Sequence, residues 1–291
     1  STYKKNSRYF EKDIFPEIGN YPIKEITAPL GIEVLKRISG RGSYEIARKS
    51  ARAMNSVMTY ALNTGLIPFN PLTGIKTTIP KIEVVNRPTL LAEQITELMR
   101  TLHYSSAKLV TRVLIEFQLH TMTRPRETAE AKWSELDLDN MLWTIPAERM
   151  KMNKEHNIPL TPQVIKLIET VRPISGHREY IFVSHINPQK SVNAQTANKA
   201  LRDMGFTGRL VAHGLRALAS TTLNEQGFDD DIIEAALAHQ DTNKIRKAYN
   251  RAQYLERRRV LMEWWSNHIE QAATGNMSLA NSKKGLRLVN E

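Results

Sequence analysis

Six side chains, Arg124, Lys151, His213, Arg216, His239 and Tyr249, are of types that could together act on a phosphodiester. His213 and Arg216 stand three residues apart in His213-Gly214-Leu215-Arg216, at the expected start of a helix. Its apolar stripe is Leu215, Leu218, Ala219, Thr222 and Leu223, so His213 and Arg216 share a face pointing away from that stripe. Arginine offers a planar fork to phosphate oxygens and histidine a tunable donor. Arg124 lies 92 residues earlier, beside Pro125 at another helix start, where free backbone N–H groups also favour anions. Two arginines can grip the two non-bridging oxygens of one phosphodiester and neutralise charge developing on a pentavalent phosphorus without a metal. Glu127, one turn after Arg124, either orients that site or caps the helix.

His239 and Tyr249 cannot share one unbroken helix face at their spacing. Asp241-Thr242-Asn243 supplies a break and a new N-cap, so His239 ends one helix and Tyr249 lies inside the next. A tyrosine hydroxyl, with a pKa near ~10, is a poor nucleophile until its proton is withdrawn or its oxyanion is stabilised by cations. Each piece has a plain reading too: a surface His and Arg, or a half-buried core tyrosine. The ordered set is what carries weight.

The elements that must position these groups fall into two segments. They part at a polar stretch from Thr77 to Pro88, where Pro80 and Pro88 discourage helix in the residues before them. The expected divisions are a helical domain over 1–80, a linker over 81–88, a second domain over 89–271 and a loose tail over 272–291. In the first, Ser43 is placed as N-cap of a helix to about Asn63, with Met54, Val57, Met58, Ala61 and Leu62 on its buried face. Its first half, with the preceding turn, carries Arg41, Arg48, Lys49 and Arg52, which could ride along a DNA groove or form a solvated face. In the second, Thr89 is placed as cap of a helix over 91–102, and another helix spans about 107–120. Strands over 142–145 and 157–160 form a hairpin whose turn holds Lys151 and Lys154, with a further strand over 180–183. Helices are expected near 191–204, 213–226, 230–238, 243–252 and 254–271. The fold class is mainly α with a small β-sheet.

Composition narrows the partners. Lysine and arginine number 41 against 30 acidic residues, and the net charge of +11 favours a polyanion, because phosphates neutralised by Lys or Arg release counterions. With no cysteine in the chain, disulfides, thiol nucleophiles and cysteine-ligated zinc are excluded. Neither a membrane-length apolar run nor a signal-peptide pattern occurs, which with the partner suggests the cytoplasm. Carboxylate or histidine clusters with convincing metal-ligand spacing are not evident, so no metal or cofactor is expected.

Several phrases together resemble one family, the tyrosine recombinases, and within it the integrases of prophages and genomic islands. They are Thr121-Met122-Thr123-Arg124-Pro125-Arg126-Glu127, Trp143-Thr144-Ile145-Pro146 through Met152, Ile158-Pro159-Leu160-Thr161, His213-Gly214-Leu215-Arg216 and Ala248-Tyr249-Asn250-Arg251-Ala252. The resemblance runs from the first helices to about residue 270. It implies a helical, SAM-like core-binding domain and a catalytic domain forming a C-shaped clamp on duplex DNA. It implies that Arg124 and Arg216 clamp the scissile phosphate while Tyr249 attacks to give a 3′-phosphotyrosine and a free 5′-hydroxyl. Lys151 would protonate the leaving 5′-oxygen, His213 assist proton transfer from the tyrosine, and His239 hydrogen-bond the phosphate. Lys154 competes for the general-acid role, though alignment on Ile158-Pro159-Leu160 favours Lys151. The family often has Gly where Met122 and Ala238 stand.

The resemblance further implies double-stranded attachment sites as substrate and a homotetramer on paired sites. A host DNA-bending protein and an excisionase are possible partners. A further N-terminal domain for arm-type sites, usual in this subgroup, is expected to be missing from this sequence, which begins at Ser1. Rival functions are a type IB-like topoisomerase, sharing the phosphotyrosine chemistry, and a catalytically silent DNA-binding regulator.

Overall fold

In the computed structural model, residues 2–81, 86–239, 254–273 and 277–280 are described. They form two compact units, Ser1–Val85 and Asn86–Glu291. The part of the expected linker over 82–85, the expected helix over 243–252 with Tyr249, and the tail from 281 lie outside the described residues.

The first unit is helical. Helix α1 (Thr2–Tyr9) runs through a π-turn, Phe10–Ile14, into the short α2 (Phe15–Ile18). Helices α3 (Ala28–Gly40) and α4 (Tyr44–Asn63) pack on each other, burying Val34, Leu35 and Ile38 against Ala47, Ala51, Met54 and Met58. The face of α4 is rotated from the expected one. Val57 is exposed, because the alanines at positions 47, 51 and 61 are what let α3 approach. Ser43 occupies the N-cap position of α4, but its side chain makes no capping bond.

The second unit begins with a 3₁₀ turn (Ala92–Gln94) leading into α5 (Ile95–Tyr104), followed by α6 (Leu109–Thr121) and α7 (Pro125–Ala129). Thr89 does not cap α5. Its hydroxyl donates instead to the Gly214 carbonyl at 2.8 Å, tying the unit's entry to the helix that carries Arg216. An antiparallel meander follows: β1 (Leu136–Asp137), β2 (Leu142–Ile145) and β3 (His156–Pro159), with Trp143 opposite Ile158 and Ile145 opposite His156. The expected hairpin is therefore present. The strand expected over 180–183 is not formed: Tyr180 and Val183 make single bridges to two different partners, Lys132 and Ser191.

Helix α8 (Pro162–Ser175) is capped by the Thr161 hydroxyl. Helix α9 (Thr196–Leu201) starts five residues later than expected, since the Asn193 side chain accepts from the Gln195 N–H at 2.8 Å and turns the chain first. Then come α10 (Gly214–Glu225), α11 (Asp230–Ala236) and α12 (Leu255–Ala272). The core is built on Phe117 of α6, whose ring meets Trp143 at 5.2 Å and Phe182 at 5.3 Å, and on Trp265, whose indole donates to the Leu119 carbonyl at 2.8 Å. Full burial of each such side chain stabilises by roughly 1.5–3 kcal/mol, which holds α6, the sheet and α12 in register.

The tail departs from the expected loose segment. Ser278, Leu279 and Ala280 are buried, so the chain past α12 is packed at 277–280. Among the described residues no helix is long and apolar enough to cross a membrane.

Candidate active site

The end of α6 sets the first arginine. The helix stops at Met122, whose backbone is left-handed (φ 54°). A buried chain of hydroxyls, Thr121 to Thr123 at 2.9 Å and Thr123 to Thr128 at 2.6 Å, then locks the turn into α7. Arg124 sits at the N-cap position of α7. Glu127 does both things open to it: one carboxylate oxygen accepts from the Arg124 backbone N–H at 2.9 Å, and the other accepts from the guanidinium at 2.8 Å. The other terminal guanidinium nitrogen, Nη2, donates to the Ala238 carbonyl at 3.2 Å.

Helix α10 sets the second arginine. Its first residue must be glycine: a Cβ on Gly214 would lie 2.2 Å from the Pro88 carbonyl oxygen. Arg216, buried, donates to the carbonyls of Met122 and Leu237. Burial, and then the facing Arg124 guanidinium, lowers the Arg216 pKa to about 10, with Glu127 and Glu234 opposing. Two cations are thus held close together, Arg216 by neutral carbonyls and Arg124 by one carbonyl and the Glu127 carboxylate, an arrangement that a phosphate would favour.

Histidines complete the group. His213 is half-buried at the N-cap position of α10, and its pKa is lowered to about 4 by burial and by Arg87, Arg216, Arg124 and His239. At neutral pH it is an uncharged imidazole able to accept a proton. His239 follows Ala238, which is left-handed (φ 49°), and its Nδ1 lies 2.9 Å from Glu234 while Nε2 lies 3.2 Å from Arg216. Met122 and Ala238, where the family often has glycine, are thus both positions with positive φ, which glycine adopts without strain. In each case the carbonyl of the left-handed residue receives an arginine.

The structure therefore brings Arg124, His213, Arg216 and His239 together. Lys151 lies in the exposed turn between β2 and β3, and Tyr249 is outside the described residues. Sequence reasoning missed Glu234 and Arg87. Glu234, five residues before His239 and so off the i+3 or i+4 helical spacing, gave no signal, and Arg87 had only its place beside Pro88.

The four basic residues of the first unit expected to meet DNA, Arg41, Arg48, Lys49 and Arg52, divide. Lys49, paired with Glu45 at 3.2 Å, and Arg52 line a groove of about 790 Å³ together with Arg8 and Lys12. Arg41 pairs with Asp13 at 2.6 Å, and Arg48 donates to the Ile79 carbonyl at 2.9 Å, a tie within the unit.

Among the described residues one cluster has metal-ligand character. Glu116, His120 and Glu270 place ligand atoms within 4.8 Å of one another. Glu116 already accepts from the Ser278 hydroxyl at 2.6 Å and from the N–H groups of Leu279 and Ala280 at 3.1 and 3.2 Å. That carboxylate anchors the 277–280 segment.

Sequence comparison decides the family. Residues 88–256 match the Phage integrase family and residues 1–78 match the Phage integrase central domain. The chain belongs to the phage integrase family. Among its relatives, prophage integrase IntA of Escherichia coli (strain K12) is 45% identical over 282 residues, covering 97% of this chain and 68% of that one. The integrase of Enterobacteria phage P4 is 30% identical over 298 residues, covering 96% and 68%. In fold, the integrase is similar to lambda integrase (75–356) bound as a dimer to a COC′ core site. The TM-score is 0.68 at 18% identity, covering 86% of this chain and 90% of that one. The Tn1549 transposon integrase in complex with a circular intermediate DNA gives a TM-score of 0.69 at 15% identity, covering 86% and 88%. The integrase shares with these two the mostly helical architecture and the small three-stranded sheet. It is a tyrosine site-specific recombinase.

Proposed function

We propose that this integrase carries out site-specific recombination of a mobile element by cutting and resealing DNA through Tyr249. The observation that supports it most is the convergence of Arg124 and Arg216 on the adjacent carbonyls of Ala238 and Leu237, with His213 and His239 alongside. A phosphodiester entering there meets two guanidinium forks aimed at its non-bridging oxygens. The Tyr249 oxygen forms a bond to phosphorus as its proton passes to neutral His213. The bond from phosphorus to the 5′-oxygen breaks, and Lys151 protonates the leaving oxygen. The product is a 3′-phosphotyrosine and a free 5′-hydroxyl. Attack by another strand's 5′-hydroxyl reverses each step and reseals the backbone. The phosphoester bond is exchanged rather than hydrolysed, so no ATP is consumed.

In the same reading residues 1–80 form a core-binding domain and residues 89–271 the catalytic domain. Arg41, Arg48, Lys49 and Arg52 were the sequence candidates for DNA contact; Lys49 and Arg52, in the basic groove, are retained for that role. The substrate is double-stranded DNA carrying attachment sites. Lambda integrase forms a tetramer on a Holliday junction, and a homotetramer on paired sites is proposed here by that likeness. A host DNA-bending protein and an excisionase would act as accessory factors, and the reaction would take place in the cytoplasm on nucleoid DNA.

The test is a duplex carrying the attachment site and nicked near the cleavage point, so that the cut strand diffuses away. In EDTA, wild type should yield an SDS-resistant protein–DNA adduct and Tyr249→Phe none. Binding without any adduct would leave a DNA-binding regulator. An adduct with supercoil relaxation but no exchange of marked sites would point to a topoisomerase.

A further inference from the structure

Glu116, His120, Glu270 and Ser278 meet in the second unit, where α6, α12 and the segment after α12 come together. Glu116 and His120 are i and i+4 on α6, the spacing that puts two side chains on one helix face. Glu270 comes from α12, and Ser278 from the segment that follows it. Glu116, His120 and Glu270 each offer a ligand atom within 4.8 Å of the other two.

Two observations show that this cluster is short of positive charge. The first is a proton count. The Ser278 hydroxyl lies 2.6 Å from Glu116 Oε1 and 2.5 Å from Glu270 Oε1, yet a hydroxyl has one proton to give. The pair of carboxyls therefore needs either a proton of its own or a cation that neutralises both. The second observation separates these choices. His120 is fully buried, and while its Nδ1 lies 2.9 Å from Ser266 Oγ, its Nε2 has no hydrogen-bond partner. Glu270 Oε2 is buried and has none either. Buried polar atoms of this kind are rare because leaving them unpaired is costly. A proton on a carboxyl does not reach either atom, since both stand beyond hydrogen-bond distance of any partner. A metal ion does, because ligands each ~2.0–2.2 Å from zinc stand about 3–4 Å from one another.

We propose that Glu116, His120 and Glu270 form a binding site for a divalent cation of the zinc class, which clasps α12 and the 277–280 segment to α6. One imidazole nitrogen and two carboxylates are a ligand set that suits zinc, and two carboxylates balance its charge. Ser266 supplies the outer contact that ligating histidines usually have, holding Nδ1 so that Nε2 is left for the metal. Burial keeps the His120 ring neutral, the form that ligates. Lys166 favours the ionised form of Glu270, against burial, which raises its pKa. The role of the cation is structural. In the metal-free protein a proton on one of the carboxyls takes its place, and the cleavage step needs neither.

The experiment uses the full chain, stripped with a chelator and dialysed, at about pH 8, where protons compete least for the carboxylates. Zinc is the probe. One equivalent should bind, and free zinc at about a hundredfold over its dissociation constant should raise the melting temperature by about 5–10 °C. Magnesium at the same concentration should give no such gain, because it favours oxygen ligands and keeps its waters. Glu116→Gln and Glu270→Gln keep the shape of each side chain and should each weaken zinc binding at least about tenfold. No gain with zinc, an equal gain with magnesium, or a gain that either amide variant keeps in full overturns the proposal. Should the variants not fold, X-ray absorption at the zinc edge of the loaded wild type decides. A shell of nitrogen and oxygen at about 2.0–2.2 Å containing one imidazole is expected. A shell with several imidazoles, or with none, places the zinc elsewhere and overturns it.

Discussion

Arg216 Nη2 and His239 Nε2 face each other at 3.2 Å. A guanidinium has no acceptor, so the histidine nitrogen accepts and its ring proton sits on Nδ1, directed at Glu234 2.9 Å away. Glu234 thereby fixes the orientation of the ring whose other nitrogen faces Arg216.

Glu234 therefore acts through His239. Glu234→Gln should slow adduct formation by about threefold to tenfold, and in the His239→Gln background it should change the rate by less than about twofold. Independent, additive losses in this double-mutant cycle would show that Glu234 acts by another route.

The arginine pair depends on fork geometry as well as charge. Arg124→Lys and Arg216→Lys keep the charge but lose the paired donors that reach carbonyl and phosphate at once. Each should lower the cleavage rate by about a hundredfold or more, as when an oxyanion donor is removed, with DNA affinity within about threefold. Filter binding and adduct kinetics on the same preparations separate the two effects.

Lys151 has its own chemical signature. If it protonates the 5′-oxygen, Lys151→Ala should cleave ordinary DNA about 10²- to 10⁴-fold more slowly. A 5′-bridging phosphorothiolate leaves as a thiolate that needs no proton, so on it Lys151→Ala should approach the wild-type rate. The same pair of substrates tested with Lys154→Ala distinguishes the two hairpin lysines.

Salt dependence should separate the basic residues of the first unit. Replacing Lys49 and Arg52 together by alanine should reduce the slope of log K against log salt by about two, roughly one for each phosphate no longer neutralised. Arg48→Ala removes the bonds to Ile79 and Pro80. It should lower the thermal stability of the first unit and leave the slope nearly unchanged.

Glu116 links the 277–280 segment to pH. Burial first, and Glu270 last, raise its pKa to about 7, against the hydrogen bonds from Ser278, Leu279 and Ala280. A carboxyl raised in this way contributes stability that is fully present below its unfolded value near 4.5 and lost as pH rises through about 7. The loss amounts to up to roughly 3 kcal/mol. His120 runs the other way: burial lowers its pKa to about 3, so its contribution is present above 6.5 and is lost as pH falls toward 3. Glu116→Gln mimics the protonated form, so its melting temperature should gain on wild type as pH is raised from 5 to about 8.5. A constant difference across that range would count against the buried carboxyl.

Most of the helices, and the hairpin, were legible because their signals are local. The stripe of α10 and the alternation around Trp143 are read within a few residues of themselves. Where structure and expectation differ, a partner from far along the chain has overridden a local preference. Thr89 looks like a cap, but the Gly214 carbonyl claims its hydroxyl. Ser278, Leu279 and Ala280 look like part of a polar tail, but the Glu116 carboxylate captures them.

The sequence by itself determined the inventory: a basic chain of helices around one small hairpin, with Arg124, Lys151, His213, Arg216, His239 and Tyr249 in one order. Only the tertiary structure decided that Arg124 and Arg216 meet on two successive carbonyls after α11, that Glu234 directs His239, and that Arg48 braces its own unit while Lys49 and Arg52 line a groove. The physical reason is range. Helical and strand periods are written in neighbouring residues, whereas a shared carbonyl seat joins groups roughly 20 to 115 positions apart and depends on how the core packs between them.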